Sequence, residues 1–204
     1  GGYHVLQAAA NLGIPRVVLA SSPEIYGDLY EVPYLPIDED TPPNPHSIYG
    51  AVKQNLETLA SHYSRWHGIA IAALRPQRIV YEESYEWRFR NYTENDSAAE
   101  NALWSYIDAR DVATACLAWV TAKESGFNSF NIAADDVCVT TPTRQLIEKG
   151  FPHIKDIRGD LPERTGLVSC NKIKQILGWS PQHHWQDMAA ESIANQYPTQ
   201  VPHR

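Results

Sequence analysis

Two short apolar runs, Arg16-Val17-Val18-Leu19-Ala20 and the stretch from Ile69 to Leu74, constrain this chain more than any other feature. Neither alternates with polar residues, so both faces of each strand must be covered. That is the pattern of a parallel sheet with helices on its two sides. Helical periodicity surrounds the runs. Val5, Leu6 and Ala9 precede Gly13 at helical spacing, and Val52, Leu56, Leu59, Tyr63 and Trp66 recur between the N-cap candidate Ser47 and the stop at Gly68. Further along, 111–121 and 142–149 read as helices and 129–133 as a strand. The pattern then predicts a short amphipathic helix over 172–178 and a last helix over 185–196. Strands alternating with helices predict crossover units and an α/β fold.

Pro33, Pro36, Pro42, Pro43 and Pro45 predict a loop without regular structure, because each removes a donor and fixes φ. The stretch 81–100 is polar and aromatic without a clear period and reads as a loop or weak lobe. Its aromatics Tyr81, Tyr85, Trp87, Phe89 and Tyr92 either stack on a bound ring or pack that lobe, as large aromatics commonly do.

A chain of 204 residues is long enough to bury a real core. Its net charge of −7 and pI near 5.6 give no electrostatic footprint for nucleic acid. No apolar stretch approaches the roughly 20 residues of a membrane helix, and Gly1-Gly2-Tyr3-His4 does not open a signal peptide. The expectation is a cytoplasmic protein without nucleic-acid or membrane partners. Cys116, Cys138 and Cys170 are odd in number and widely spaced, and the histidines are scattered, so inert thiols and no metal site are expected.

Chemistry concentrates around Tyr49-Gly50-Ala51-Val52-Lys53, where a phenol and an ammonium four residues apart share one helix face. A tyrosine with a pKa of about 10 is a poor acid or base at neutral pH, but a fixed cation nearby favours the phenolate. By itself the spacing discriminates poorly. Ser21 and Ser22, read alone, are residues that cap a strand end. In order along the chain, however, stand Ala20-Ser21-Ser22, Glu24-Ile25-Tyr26-Gly27, a proline-rich loop, Ser47-Ile48-Tyr49-Gly50, Lys53 and Leu74-Arg75-Pro76. Together with His4 to Ala9 and Tyr106 to Ala113, this set resembles the extended short-chain dehydrogenases/reductases, the family of NAD-dependent epimerases and dehydratases.

The resemblance implies a partial Rossmann-type parallel sheet with a small mixed substrate lobe. Residues 1–80 would be the remaining part of the dinucleotide-binding domain, and 81–204 the substrate lobe, with returning Rossmann elements at about 105–135. It assigns catalysis to Ser22, Tyr49 and Lys53, and NAD or NADP to Ala20, Ser21, Tyr49, Lys53 and Pro76. The substrate, a sugar, sugar acid or nucleotide sugar, would meet Ser22 and Arg78. Relatives commonly dimerise through the helix bearing tyrosine and lysine, where Leu56, Leu59 and Tyr63 could serve a homodimer or pack within the chain.

Several positions depart from the family pattern. A GxxGxxG phosphate cradle is absent, which implies a fragment or a shortened gene product and keeps open a rival reading, a non-catalytic remnant that binds or assembles. Pro23 occupies the place of the acid that sugar 4,6-dehydratases use, while Glu24 remains a second acid/base candidate or a solvated carboxylate. Arg78 stands where the family often has asparagine, and Trp104 where an arginine often grips a diphosphate. A smaller substrate follows as an expectation, with Arg78 either gripping a carboxylate or lying on the surface.

Overall fold

The computed structural model of the chain describes residues 1–81, 84, 85, 88 and 95–188. Helix α1 (Gly2–Asn11) leads into strand β1 (Arg16–Ala20), and a long connection reaches helix α2 (Ile48–His67) and strand β3 (Ala70–Pro76). Helix α3 (Ala109–Thr121) returns to strand β6 (Phe127–Ile132). The three strands form a parallel sheet in the order β1-β3-β6, with Val18 opposite Ala72 and Leu74 opposite Phe130. Alternate residues of β3 enter opposite cores, as the two-residue pleat requires. Ile71 joins Leu6, Val17, Leu19, Ala60 and Tyr63 under α1 and α2, while Ala70, Ala72 and Leu74 join Trp104, Tyr106, Trp119 and Phe130 on the other side. This second core continues through helices α4 (Thr143–Gly150) and α5 (Asn171–Leu177) to Trp185 and Met188.

The buried strands predicted at 16–20 and 69–74 and the helices predicted from periodicity stand within a few residues of these bounds. Ser47 caps α2 as expected, its Oγ accepting from Gly50 N at 2.9 Å, and Gly68 ends the helix at φ 69°. The side of α2 that meets the sheet keeps the middle of the expected stripe, Leu56, Leu59 and Tyr63, and loses its two ends. Val52 and Trp66 are 57% and 62% exposed, whereas Gly50, Glu57, Ala60, Tyr63 and Ser64 are buried. Gly50 is buried there because the helix start lies close to the loop beside it. Leu56, Leu59 and Tyr63 pack within the chain against the α1 side of the sheet.

The proline-rich connection is more ordered than its composition predicts. It contains short 3-10 helices at Pro23–Tyr26 and Leu29–Glu31 and a strand β2 (Tyr34–Leu35), parallel to β7 (Asp156–Ile157). Pro33 and Pro36 flank this strand and so remove no ladder donor inside it. Strands β4 (Ile79–Val80) and β5 (Ile107–Asp108) form another two-residue parallel pair. Trp87, Phe89 and Tyr92, and the part of the expected last helix beyond 188, lie outside the described residues. Tyr85 is buried and its hydroxyl donates to Asp108, while Tyr81 is half exposed.

All three cysteines are free; burial pushes the Cys138 and Cys170 thiols up to about 12, which keeps them protonated and inert. Among the described residues no helix is long and apolar enough to cross a membrane.

Candidate active site

Parallel α/β sheets bind ligands beyond the carboxyl ends of their strands, and there the predicted residues gather. Where β1 ends at Ala20, Ser21 and Ser22 lead into the first 3-10 helix, which Ser22 caps by accepting from Glu24 N at 3.2 Å. The first turns of α2 lie against this helix. A Cβ at Gly50 would fall 2.4 Å from Glu24 O, so only glycine permits the approach. A Cβ at Gly27, where φ is 75°, would fall 1.8 Å from Asn44 O, so glycine is needed there as well. The close approach sets Lys53 over the strand end. Its Nζ donates to Ala20 O at 2.5 Å and lies 5.4 Å from the ring centroid of Tyr49, which is 54% exposed. Ser47 Oγ donates to Glu24 Oε2 at 3.2 Å, tying the start of α2 to the same loop.

Beneath this surface runs a polar network that the sequence pattern did not single out. Ser21 Oγ donates to Glu57, so this serine, assigned above to the cofactor, gives its hydroxyl proton to the interior. Arg75 forks onto Glu57, with Nε 2.9 Å from Oε1 and Nη2 2.6 Å from Oε2. Arg75 Nη1 also donates to the Tyr26 hydroxyl at 2.8 Å, and Tyr26 in turn donates to Asn131 Oδ1 at 2.8 Å, with Asp38 O 3.0 Å away. Burial works against a charged Arg75, but the bonds to Glu57 and Tyr26 outweigh it and hold the guanidinium above its ordinary value. Burial drives the Tyr26 phenol far up, so it stays neutral and relays one hydrogen bond onward. The available signal for Glu57 was its place four residues after Lys53, continuing the ladder Tyr49, Lys53, Glu57 on one helix face.

Above the network a cleft of about 280 Å³ opens, lined by Ser22, Glu24, Pro76, Gln77, Arg78 and Asn101 among others. It unites four of the predicted residues, Ser22, Glu24, Pro76 and Arg78. Tyr49 and Lys53 are not in its wall but on the helix packed against the Ser22–Glu24 loop. Arg78 is half-buried, and its Nη2 donates to Asn101 Oδ1 at 3.2 Å. Gln77 and Asn101 were not foreseen. Gln77 is 3% exposed, and its Nε2 meets no acceptor among the described residues. A buried donor left unmade costs about 1–3 kcal/mol. Trp104, the position of the expected diphosphate grip, is built into the core with Nε1 donating to Asp96 O at 2.8 Å.

Away from the cleft, Asp28, Glu31 and His46 bring their ligand atoms within 4.8 Å of one another, but all three are exposed. His46 Nε2 lies 3.3 Å from Glu31 and 3.1 Å from Asn44 Nδ2, which also donates to Glu31, so Glu31, Asn44 and His46 belong to an exposed hydrogen-bonded cluster.

Residues 1–133 match the NAD dependent epimerase/dehydratase family. The chain belongs to that family. This epimerase/dehydratase-family chain is 25% identical over 213 residues to the UDP-glucose 4-epimerase of Corynebacterium glutamicum, an alignment that covers 88% of the chain and 62% of that enzyme. The chain thus spans less than two thirds of that relative's length. Among solved structures, a UDP-galactose 4-epimerase superposes with a TM-score of 0.62 at 24% identity, covering 96% of the chain and 68% of its own. A short-chain dehydrogenase/reductase superfamily protein from Agrobacterium tumefaciens with bound NAD gives 0.64 at 22% identity, with 97% and 72% covered. These likenesses establish the Rossmann-type fold that the resemblance implied, within the α/β class expected from the strand pattern.

Proposed function

We propose that this family member performs nicotinamide-dependent oxidation and reduction at a sugar carbon, as an epimerase or a dehydrogenase. Residues 1–80 would form the remaining part of the dinucleotide-binding domain and 81–204 the substrate lobe, with returning Rossmann elements at about 105–135, and the substrate would sit where the two meet. The reading rests chiefly on Lys53, held by Ala20 O at the end of β1 and beside the exposed Tyr49, next to a cleft that contains Ser22. Family membership and the relatives named above support it.

The donor set fits an NAD or NADP cofactor. An ammonium carries three donors, Ala20 O takes one, and the rest suit ribose hydroxyls at an open strand end. A nicotinamide supplies hydride uptake or return when bound. The chain's own residues manage the proton. Ser22 Oγ hydrogen-bonds the reacting sugar oxygen, Tyr49 Oη exchanges the proton of that hydroxyl, and Lys53 fixes the ribose beside it. Glu24, in the cleft with Ser22, is the second acid/base for a neighbouring position.

Titration with NADH and NADPH, read by energy transfer from tryptophan to nicotinamide, is expected to saturate; no binding at millimolar cofactor overturns the reading. In a screen of sugars, sugar acids and nucleotide sugars, Tyr49→Phe should lower turnover by about 10²-fold or more, the usual worth of a positioned acid/base. Equal turnover in the variant would remove Tyr49 from the mechanism.

A further inference from the structure

The cleft holds one feature that a triad mechanism leaves unused. Gln77 stands at the end of β3 between Pro76 and Arg78, its backbone N–H donating to Ile132 O at 2.9 Å, so the main chain there is fixed by the sheet. Its carboxamide nitrogen is shut off from solvent and from every acceptor among the described residues, although the residue lines the cleft. Buried polar groups almost always have a partner, and an orphan beside a concave site points to a ligand atom as that partner. The last torsion of a glutamine is broad and two-fold, so the carboxamide is free to turn toward a ligand.

We propose that Gln77 is a specificity-determining residue that donates to a substrate carboxylate, so that the cleft selects a monosaccharide acid. The proposal rests on the reading of this cleft as the substrate site. Its neighbours decide the chemistry. Gln77 and Arg78 are consecutive and line the same cleft, to whose wall they contribute an amide and a guanidinium. A carboxylate is acceptor-only, with two oxygens that answer such a pair, whereas a hydroxyl also brings a hydrogen of its own, for which a guanidinium offers no acceptor. Ser22 and Glu24 line the cleft as well, and a hydroxyl with a carboxylate acceptor suits the ring hydroxyls of a sugar. Size agrees: the cleft is about 280 Å³, while pockets for drug-sized ligands run from about 300 to 1,000 Å³.

Calorimetric titration of the full chain with D-glucuronate against D-glucose, and D-galacturonate against D-galactose, compares sugars that differ only at C6; UDP-glucose is the third kind of probe. The same titrations are made on Gln77→Met and Gln77→Glu, each checked for folding by thermal unfolding. At least one uronate is expected to bind about tenfold or more tightly than its neutral partner, the worth of a hydrogen bond to a charged group. Gln77→Met should erase most of that ratio and Gln77→Glu all of it; if one variant does not fold, the other decides. No preference in either pair, no sugar bound at all, UDP-glucose bound more tightly than the uronates, or a ratio untouched in a folded variant each overturns the proposal. Failure of the proposed function looks different: NADH and NADPH do not bind while the uronate preference remains, which removes the oxidoreductase and leaves the carboxylate subsite standing.

Discussion

Asp108 shows how one side chain can serve several partners at once. It is 1% exposed, caps α3 by accepting from Arg110 N at 2.7 Å, and accepts from Arg110 Nε at 2.9 Å and from the Tyr85 hydroxyl. Burial pushes its carboxyl up, but the bonds from Arg110 and Tyr85 outweigh burial and hold it below the ordinary aspartate range. A carboxyl with a lower pKa in the folded state binds fewer protons there than in the unfolded chain. Its contribution to stability is therefore complete above the unfolded value of about 3.9, and disappears as pH falls through the folded value. The stability gap between the wild type and Asp108→Asn, followed by urea unfolding, should be constant from pH 7 to about 5 and narrow below about 4. A gap as wide at pH 3 as at pH 7 would show that the charge is not what matters. Periodicity placed the start of this helix at Asp111, because an N-cap lies outside the helical stripe and its own residue is polar. Only the side-chain bonds show where the helix begins.

At the scale of elements, legibility followed length and period. The strands β1, β3 and β6 and the long α2 were readable because many residues in each obey one pattern. The pairs β2 with β7 and β4 with β5 are two residues long, and distant segments create them, so no local signal exists. The segment leading to β5 is the sharper case. A 3-10 helix at Asp96–Ala102, capped by Asn95 Oδ1 accepting from Ser97 N at 3.1 Å, presents Asn101 and Ala102 to the cleft. It leaves through Leu103 and Trp104, both at φ 52°, a region that non-glycine residues rarely enter. Leu103 is fully buried, and Cys138 N donates to Trp104 O at 2.9 Å, so packing and backbone bonding hold the strained turn in place. Replacing Leu103 removes about 2–5 kcal/mol of core packing whichever small residue follows. Glycine also relieves the strain, which alanine keeps. Leu103→Gly should then be at least as stable as Leu103→Ala in thermal unfolding, against the usual order in which glycine is about 0.5–1 kcal/mol worse inside regular structure. Alanine more stable by that ordinary margin would mean the turn stores no strain.

Across the whole molecule, the buried network joins every part that the site needs. Ser21 follows β1, Arg75 belongs to β3, Asn131 to β6, Glu57 to α2 and Tyr26 to the loop that carries Ser22 and Glu24. The sheet's carboxyl end and the helix bearing Tyr49 and Lys53 thus share one ion pair. Sequence reading found Tyr49 and Lys53 through spacing and Ser22 through the family resemblance, but not the interior of this arrangement. A glutamate on a helix is ordinarily solvated, and burial depends on how closely α2 approaches the sheet. An isolated buried charge is far costlier than a paired one, so the loss of either partner should destabilise by about 3–5 kcal/mol. Removing both charges together should be much milder, because apolar side chains of similar size can fill the space. Urea unfolding of Glu57→Leu, Arg75→Met and the double variant completes a double-mutant cycle. The double variant is expected to be more stable than either single one, with a coupling energy of several kcal/mol. Additive losses would mean that Glu57 and Arg75 act apart, and α2 would then owe its position to the close contact at Gly50 and to the apolar core beneath it. Strong coupling with a stable double variant leads on to turnover. If the apolar pair restores stability but not activity, the network's role is to set Ser22 against Tyr49 and Lys53, which burial of apolar area, having no direction, cannot do.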